Sequence, residues 1–150
     1  HYSKLMKKIL IIFLFLSACG YQPLYNSNLK KIEFSKINLS GDIRIGREII
    51  SSLNIKEVNN NANKEISIES SQSIKVTSKN AQGQPSTYRT NVSVLISIKD
   101  QGKPIKSKLF SEDFTYNNIE NKYDLSVYQK DIQNNLIKKI IDDLVVYINL

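Results

Sequence analysis

The stretch TYRTNVSVLISI, residues Thr87–Ile98, decides the fold of this 150-residue chain. From Tyr88 onward every second residue is a β-former, and most of the residues between them are polar. This alternation predicts a strand with one buried face and one exposed face. Turn-forming residues stand on both sides of it, at 80–85 and at 99–104, so we expect it to be joined to its neighbours by short turns.

The two neighbouring segments follow the same pattern. Residues Glu65–Ser78 alternate as well, although Ser70 and Gln72 interrupt their apolar face, and Ile105–Tyr116 has its aromatic residues in phase. Three consecutive strands that are separated only by short turns predict an antiparallel meander.

The segment before the meander predicts a strand, a helix and a loop. Apolar residues alternate in Lys31–Leu39 but slip phase once, which indicates a strand with a bulge. Residues Ile43–Leu53 have apolar residues at helical spacing, with Asp42 as the N-cap and Gly46 as a weak point. The Asn-rich residues Glu57–Asn63 suit a loop.

The last predicted element is a long amphipathic helix from Leu125 to Ile148, whose apolar residues repeat every three or four positions. Asp124 or Ser126 can cap it, and Ser126 with Gln129 matches a capping box. The predicted order is therefore β-α-β-β-β-α. We expect an α+β fold in which two helices pack on one face of an antiparallel or mixed four-stranded sheet.

The amino-terminal residues have the pattern of a secretory signal. Met6 is the only Met of the chain and precedes two lysines, which makes it the expected start of translation. These lysines are followed by eight apolar residues, Ile9–Leu16, and then by Ser17, Ala18, Cys19 and Gly20. A basic, an apolar and a small-residue region in this order are typical of a cleaved signal, and the apolar segment is shorter than the roughly 20 residues of a membrane-spanning helix.

The residues Leu16, Ser17, Ala18 and Cys19 match the lipobox of bacterial lipoproteins. In such proteins the chain is cut before the cysteine, which carries acyl chains that anchor the protein to a membrane. We therefore expect a signal peptide at 1–18, a lipidated tether at 19–30 and a folded domain at 31–150.

The composition excludes several function classes. One Cys, no Trp and a single histidine, His1, leave no Cys/His metal site, disulfide framework or His-assisted triad. We therefore expect no enzymatic activity, and no metal or other cofactor besides the lipid.

The formal charge of +7 falls to +4 once the three lysines of the signal are removed, because 18 basic and 14 acidic residues remain. Nucleic acid is not an expected partner of a secreted chain whose basic residues alternate with acidic ones.

The sequence CGYQPLY at Cys19–Tyr25 resembles the mature start of one branch of the LptE family, the lipoproteins of lipopolysaccharide assembly. Weaker similarities to this family cover Arg44–Arg47, Gly83–Ile98, Phe114–Asn117 and Tyr128–Leu136. The resemblance implies an outer-membrane lipoprotein on the periplasmic side that plugs the LptD β-barrel and helps to deliver lipopolysaccharide to the cell surface. The arginine that the family usually has between Gln129 and Leu136 is absent, because Lys130-Asp131-Ile132 stands there instead. No catalytic or ligand-binding role is therefore carried onto the last helix.

Two groups of residues are candidate contacts. Basic residues at the strand ends can bind the phosphates of lipopolysaccharide. Solvated charges that prevent sheet aggregation would have the same pattern. The candidates are Lys75, Lys79 and Arg89 around the first turn, and Lys103 and Lys106 around the second. Tyr21, Pro23, Leu24 and Tyr25 are expected to pack against the barrel wall or to rest among lipid headgroups. The alternative function is a lipoprotein that binds a lipid or small ligand between sheet and helices, independently of a barrel.

Overall fold

A computed structural model describes residues 31–59 and 63–149. The expected signal peptide, Cys19 and the Tyr21–Tyr25 segment lie outside the described residues. In chain order the elements are β1 (Ile32–Phe34), β2 (Lys36–Gly41), α1 (Ile43–Ser52), β3 (Ile55–Glu57), β4 (Lys64–Lys79), β5 (Pro85–Asp100), β6 (Lys103–Asn117) and α2 (Lys122–Asn149).

The main sheet has four strands in the order β2-β4-β5-β6. The strands β4, β5 and β6 form the predicted antiparallel meander, and β2 pairs with β4 in parallel over Lys36–Gly41. The sheet is therefore mixed. A parallel pair needs a crossover connection, which α1 and β3 supply here.

The predicted single strand at 31–39 is wrong in one respect, because Ser35 separates it into β1 and β2. β1 forms a second, two-stranded sheet with β3, in which Ile32 is the register partner of Ile55. The predicted loop at 57–63 begins one residue too early, because Glu57 ends β3. The sequence could not predict β3, because a strand of three residues is too short to show an alternating pattern. Ile55 of β3 is buried in the structure.

Both helices cover the same face of the main sheet, which confirms the predicted α+β architecture. α1 contacts β2 and β4, and α2 contacts β5 and β6. The helix-facing side chains of β5 are the even-numbered ones, and those from Thr90 to Ile98 are all buried. The helices contribute the matching apolar side chains; among those with at most 1% exposure are Ile45, Ile49, Ile137, Ile140, Ile141 and Leu144.

The two helices begin at different kinds of cap. Asp42 is the N-cap of α1 as predicted, since its carboxylate accepts from the backbone N–H groups of Arg44 and Ile45. At α2 the predicted caps are wrong. The side chain of Asn121 accepts from the backbone N–H groups of Tyr123 and Asp124 at 2.9 and 3.3 Å. The helix therefore begins before Asp124, which lies in its first turn.

Gly46 in α1 has a packing role that the sequence did not reveal. It is buried, and a Cβ at this position would lie 3.0 Å from the side chain of Leu39 in β2. The glycine lets α1 approach the sheet closely, which offsets its poor helix propensity.

No helix within the described ranges 31–59 and 63–149 is long and apolar enough to cross a membrane.

Candidate functional site

Two of the candidate basic residues meet at one end of the main sheet, which we call the hairpin end because the β4–β5 turn at 80–84 forms it. Lys75 and Arg89 are register partners on β4 and β5. They lie on the outer face, defined as the face of the sheet opposite the helices. Together with Asn91 and Asp113 they line an open depression of ≈ 360 Å³.

Arg89 is held in place by β6. Its Nε donates to Oγ1 of Thr115 at 3.1 Å and lies 3.5 Å from the carboxylate of Asp113. More than half of the Arg89 side chain is exposed, so this ion pair is solvent-screened and its main effect is on the orientation of the guanidinium. Within the described ranges, no acidic side chain lies within 4.0 Å of Lys75 or Lys79.

The other two candidate lysines lie at the opposite end of the sheet. Ile98, the register partner of Lys106, lies nine positions along β5 from Arg89, which corresponds to roughly 30 Å. Lys103 pairs with Asp100 next to the β5–β6 turn. The Nζ of Lys106 donates to the backbone carbonyl of Tyr147 at 3.0 Å and lies over the ring of the same residue. Lys106 therefore stabilises the end of α2, and the structure does not join it to the Lys75–Arg89 pair.

An aromatic cluster lies on the helix side of the hairpin end. The rings of Tyr88 and Tyr116 stack at a centroid distance of 5.8 Å, and Phe114 stacks on Tyr116 at 6.5 Å. Tyr128 of α2 packs edge-on against Tyr116 at 5.6 Å. Thr90 lies beneath the cluster, where its hydroxyl is 3.0 Å from that of Tyr116.

The apolar surface around this cluster is only partly covered by the helices. Ile74 and Val76 of β4 face the helix side but are 39% and 43% exposed, and Phe114 is 47% exposed. These residues were not among the sequence-predicted candidates. The alternation of apolar and polar residues predicted correctly that these side chains lie on the apolar face of the sheet. It could not predict that they stay exposed, because α1 covers only those residues of β4 that lie nearer the other end of the sheet.

The outer face carries rows of small hydroxyl side chains across three strands. Ser71, Ser93 and Ser111 form one row, in which the hydroxyls of Ser93 and Ser111 are 3.0 Å apart. A second row, Ser67, Ser97 and Ser107, has the same contact between its last two members. These rows make much of the outer face polar, as the sequence predicted for the exposed side of the meander, although Leu109 on the same face is 61% exposed.

The hairpin end thus offers cations on one face and apolar rings on the other, within three neighbouring register rows. Such a combination suits an amphipathic ligand with anionic and apolar parts.

The neighbouring acids Glu112 and Asp113 point to opposite faces, where they pair with Lys139 and Arg89. They therefore form no acid/base couple. No group of three metal-binding side chains occurs in the part of the chain that the structure describes.

The solved structures with a similar fold include two bacterial lipoproteins. Uncharacterized lipoprotein B from Nitrosomonas europaea matches with a TM-score of 0.58 and 12% identity, over 84% of this chain and 88% of that one. A minor lipoprotein from Acinetobacter baumannii matches with a TM-score of 0.51 and 13% identity, over 77% of this chain and 92% of that one. No protein-family model and no curated protein matches the chain. At these identities the similarity establishes the fold alone.

Proposed function

We propose that this protein is a lipid-anchored outer-membrane lipoprotein that acts, like the LptE family it resembles, as the plug and assembly partner of an LptD-like β-barrel. In this role it takes part in the transport of lipopolysaccharide to the cell surface and catalyses no reaction.

One observation carries the proposal. The domain shares its fold with two bacterial lipoproteins, and the sequence has a lipobox and the Cys19–Tyr25 motif just before this domain. The rows of hydroxyl side chains on the outer face also suit the water-filled lumen of a large barrel, where a plug must present hydrogen-bonding groups to a polar wall.

The alternative function, a ligand between sheet and helices, has less support. In that space the side chains of Ile45, Ile96 and Ile140 are at most 1% exposed and belong to one packed core. A ligand there would have to displace core side chains, whereas the hairpin end offers charges and rings without rearrangement.

Co-purification tests the barrel partnership. The tagged chain, extracted from membranes in mild detergent, should retain a large β-barrel protein in a fixed ratio. A matched sample with Cys19→Ala tests the anchor, since it should lose acylation as measured by mass spectrometry. Recovery of the wild-type chain with lipid but without any barrel would favour the alternative function and contradict the proposal.

Lipopolysaccharide binding tests the hairpin end. The double variant Lys75→Glu/Arg89→Glu replaces both cations and should weaken binding at least tenfold at low salt, because both phosphate donors become repulsive. The control variant Lys64→Glu/Lys99→Glu changes the charge equally at the opposite end, where both residues are exposed. Equal binding by the two variants would show that the hairpin end is not the contact.

A further inference from the structure

Within the described residues, one edge of the strand β4 has no neighbouring strand along much of its length. The strand runs from Lys64 to Lys79 and pairs with β5 along nearly its whole length, whereas β2 accompanies it only from Glu65 to Ser70. From Ser71 onward no other strand of the described chain lies on that side. Unpaired edges of this length are usual sites of strand addition.

The edge begins where β2 leaves the sheet. Gly41 has a φ of +73°, and the N–H of the next residue, Asp42, donates to the carbonyl of Ser70 at 2.7 Å. The chain then turns away into α1. At the other end of the contact, the carbonyl of Lys64 accepts from the N–H of Ser35. The backbone groups of even-numbered β4 residues therefore point toward the edge. Those of Gln72, Ile74 and Val76 have no strand to pair with in the part of the chain that the structure describes.

We propose that this edge pairs with the same edge of a second copy of the chain. The two β4 strands run antiparallel around a twofold axis at Ile74, and the two meanders become one sheet of six strands, with each β2 lying beyond one end of the shared segment. Ile74 of one copy lies opposite Ile74 of the other, and Gln72 lies opposite Val76. These pairs are of the hydrogen-bonded type, because their backbone groups point toward the edge.

The side chains of the edge are complementary in this register. On the helix side, the partly exposed side chain of Ile74 packs against Ile74 of the other copy, and the partly exposed Val76 packs against Gln72 of the other copy. On the outer face, Lys75 lies opposite Ser73 of the other copy, so like charges are not apposed. A twofold axis at Lys75 would bring two lysines together, and an axis at Ser73 would place the partner strand against Ser70, which Asp42 already occupies.

The irregular end of β4 agrees with this register. The pairing with β5 shifts between Val76 and Ser78 and again between Ser78 and Lys79. A strand bends at such irregularities. The bend lies where the strand of one copy would otherwise collide with the Gly41–Asp42 turn of the other copy.

The second long edge of the sheet, β6, is less suited to pairing. It contains Pro104, which has no backbone N–H, and three lysines in its first six residues. Lys106 and Lys108 are also engaged with the ring of Tyr147 in α2. These are features by which proteins protect an exposed edge strand.

Sedimentation equilibrium of the full chain, in detergent at less than one protein per micelle, tests the proposal. The wild-type chain should be a dimer in equilibrium with a monomer in the micromolar range. Ile74→Lys places two cations opposite each other at the axis and should raise the dissociation constant at least tenfold. Ile105→Lys is the matched control, since it makes the same change at an exposed position on β6, and it should leave the constant unchanged. A wild-type chain that stays monomeric at concentrations on the order of 200 µM, or equal effects of the two variants, would overturn the proposal.

Disulfide cross-linking tests the register without a charge change. In a hydrogen-bonded antiparallel pair the two Cα atoms are about 5.5 Å apart, which a disulfide can span. With Cys19→Ser in the background, Ile74→Cys should give a covalent dimer on mild oxidation, whereas the exposed control Leu109→Cys should not. Equal yields would contradict the assigned axis. The proposal does not rest on the barrel partnership, and neither readout uses a barrel or lipopolysaccharide.

Discussion

At the scale of single residues, two buried polar side chains of the sheet differ in their hydrogen bonding. The hydroxyl of Thr90 bonds to that of Tyr116, whereas the hydroxyl of Ser70 has no hydrogen-bond partner among the described residues. A buried polar group without a partner destabilises a fold, and so does breaking an existing pair. Ser70→Ala should therefore leave the free energy of unfolding unchanged or raise it by up to about 1 kcal/mol. Thr90→Val should lower it by about 1–2 kcal/mol. Urea denaturation of both variants measures the two changes in the free energy of unfolding. An equal loss of stability in the two variants would contradict the prediction.

The cap of α2 gives a second residue-scale prediction. Asn121 accepts from two backbone N–H groups, so Asn121→Ala should lower the stability by about 1 kcal/mol. Ser126→Ala should have a smaller effect, because the hydroxyl of Ser126 bonds to the carbonyl of Tyr123 inside the helix and caps nothing. Thermal unfolding followed by circular dichroism compares the two; a larger loss in the Ser126 variant would restore the sequence-based choice of cap.

At the scale of elements, two glycines with positive φ allow the cost of backbone strain alone to be compared with the cost of strain plus steric overlap. A Cβ at Gly83, in the β4–β5 turn, would meet only open space, so Gly83→Ala should lower the stability by only about 1 kcal/mol. At Gly41, a Cβ would overlap the carbonyl oxygen of Ser70. Gly41→Ala should therefore cost at least about 3 kcal/mol and detach β2. Hydrogen exchange at the amides of Ile37–Leu39 measures this detachment, and their unchanged protection would refute it.

The elements also show what the sequence could predict. β5 and the α2 stripe were predictable, because alternation and helical spacing over more than ten residues reflect burial on one face. β3 was not, because its three residues form a strand only where β1 lies beside them. The cap at Asn121 was missed for a related reason: Asp124 and Ser126 are equally good capping residue types, and only the first backbone turn distinguishes among them.

At the scale of the whole molecule, the described fold predicts where the chain can be shortened. A chain that starts at Lys31 retains every described strand, both helices and the described core, so it should unfold in one transition with a Tm within about 4 °C of the full chain. A chain that ends at Ile119 lacks α2 and with it six buried side chains of the core. It should show no cooperative unfolding. Calorimetry of both chains checks this, and an altered Tm for the first would show that residues 1–30 contribute to the fold.

The candidate site was predictable only in part. Lys75 and Arg89 were paired correctly with the first turn because a hairpin fixes which residues lie opposite each other. The apolar rim of Ile74, Val76 and Phe114 was missed, because exposure at one end of a long sheet depends on how far the helices extend over it. The engagement of Lys106 with the end of α2 was missed as well, since a contact across 41 residues leaves no local signal.

The parallel pairing of β2 with β4 has a consequence for the order of folding. The β4–β5 and β5–β6 pairs close through turns of a few residues, whereas β2 must wait for a partner that begins some 29 positions later, Lys36 with Glu65. Closing the longer loop loses more entropy before any contact compensates for it. We therefore expect the meander to form the nucleus and β2 to join late, although β2 is the first strand of this sheet to be synthesised. Until then β4 exposes both halves of its edge, and the newly synthesised chain is most prone to pair with the wrong strand.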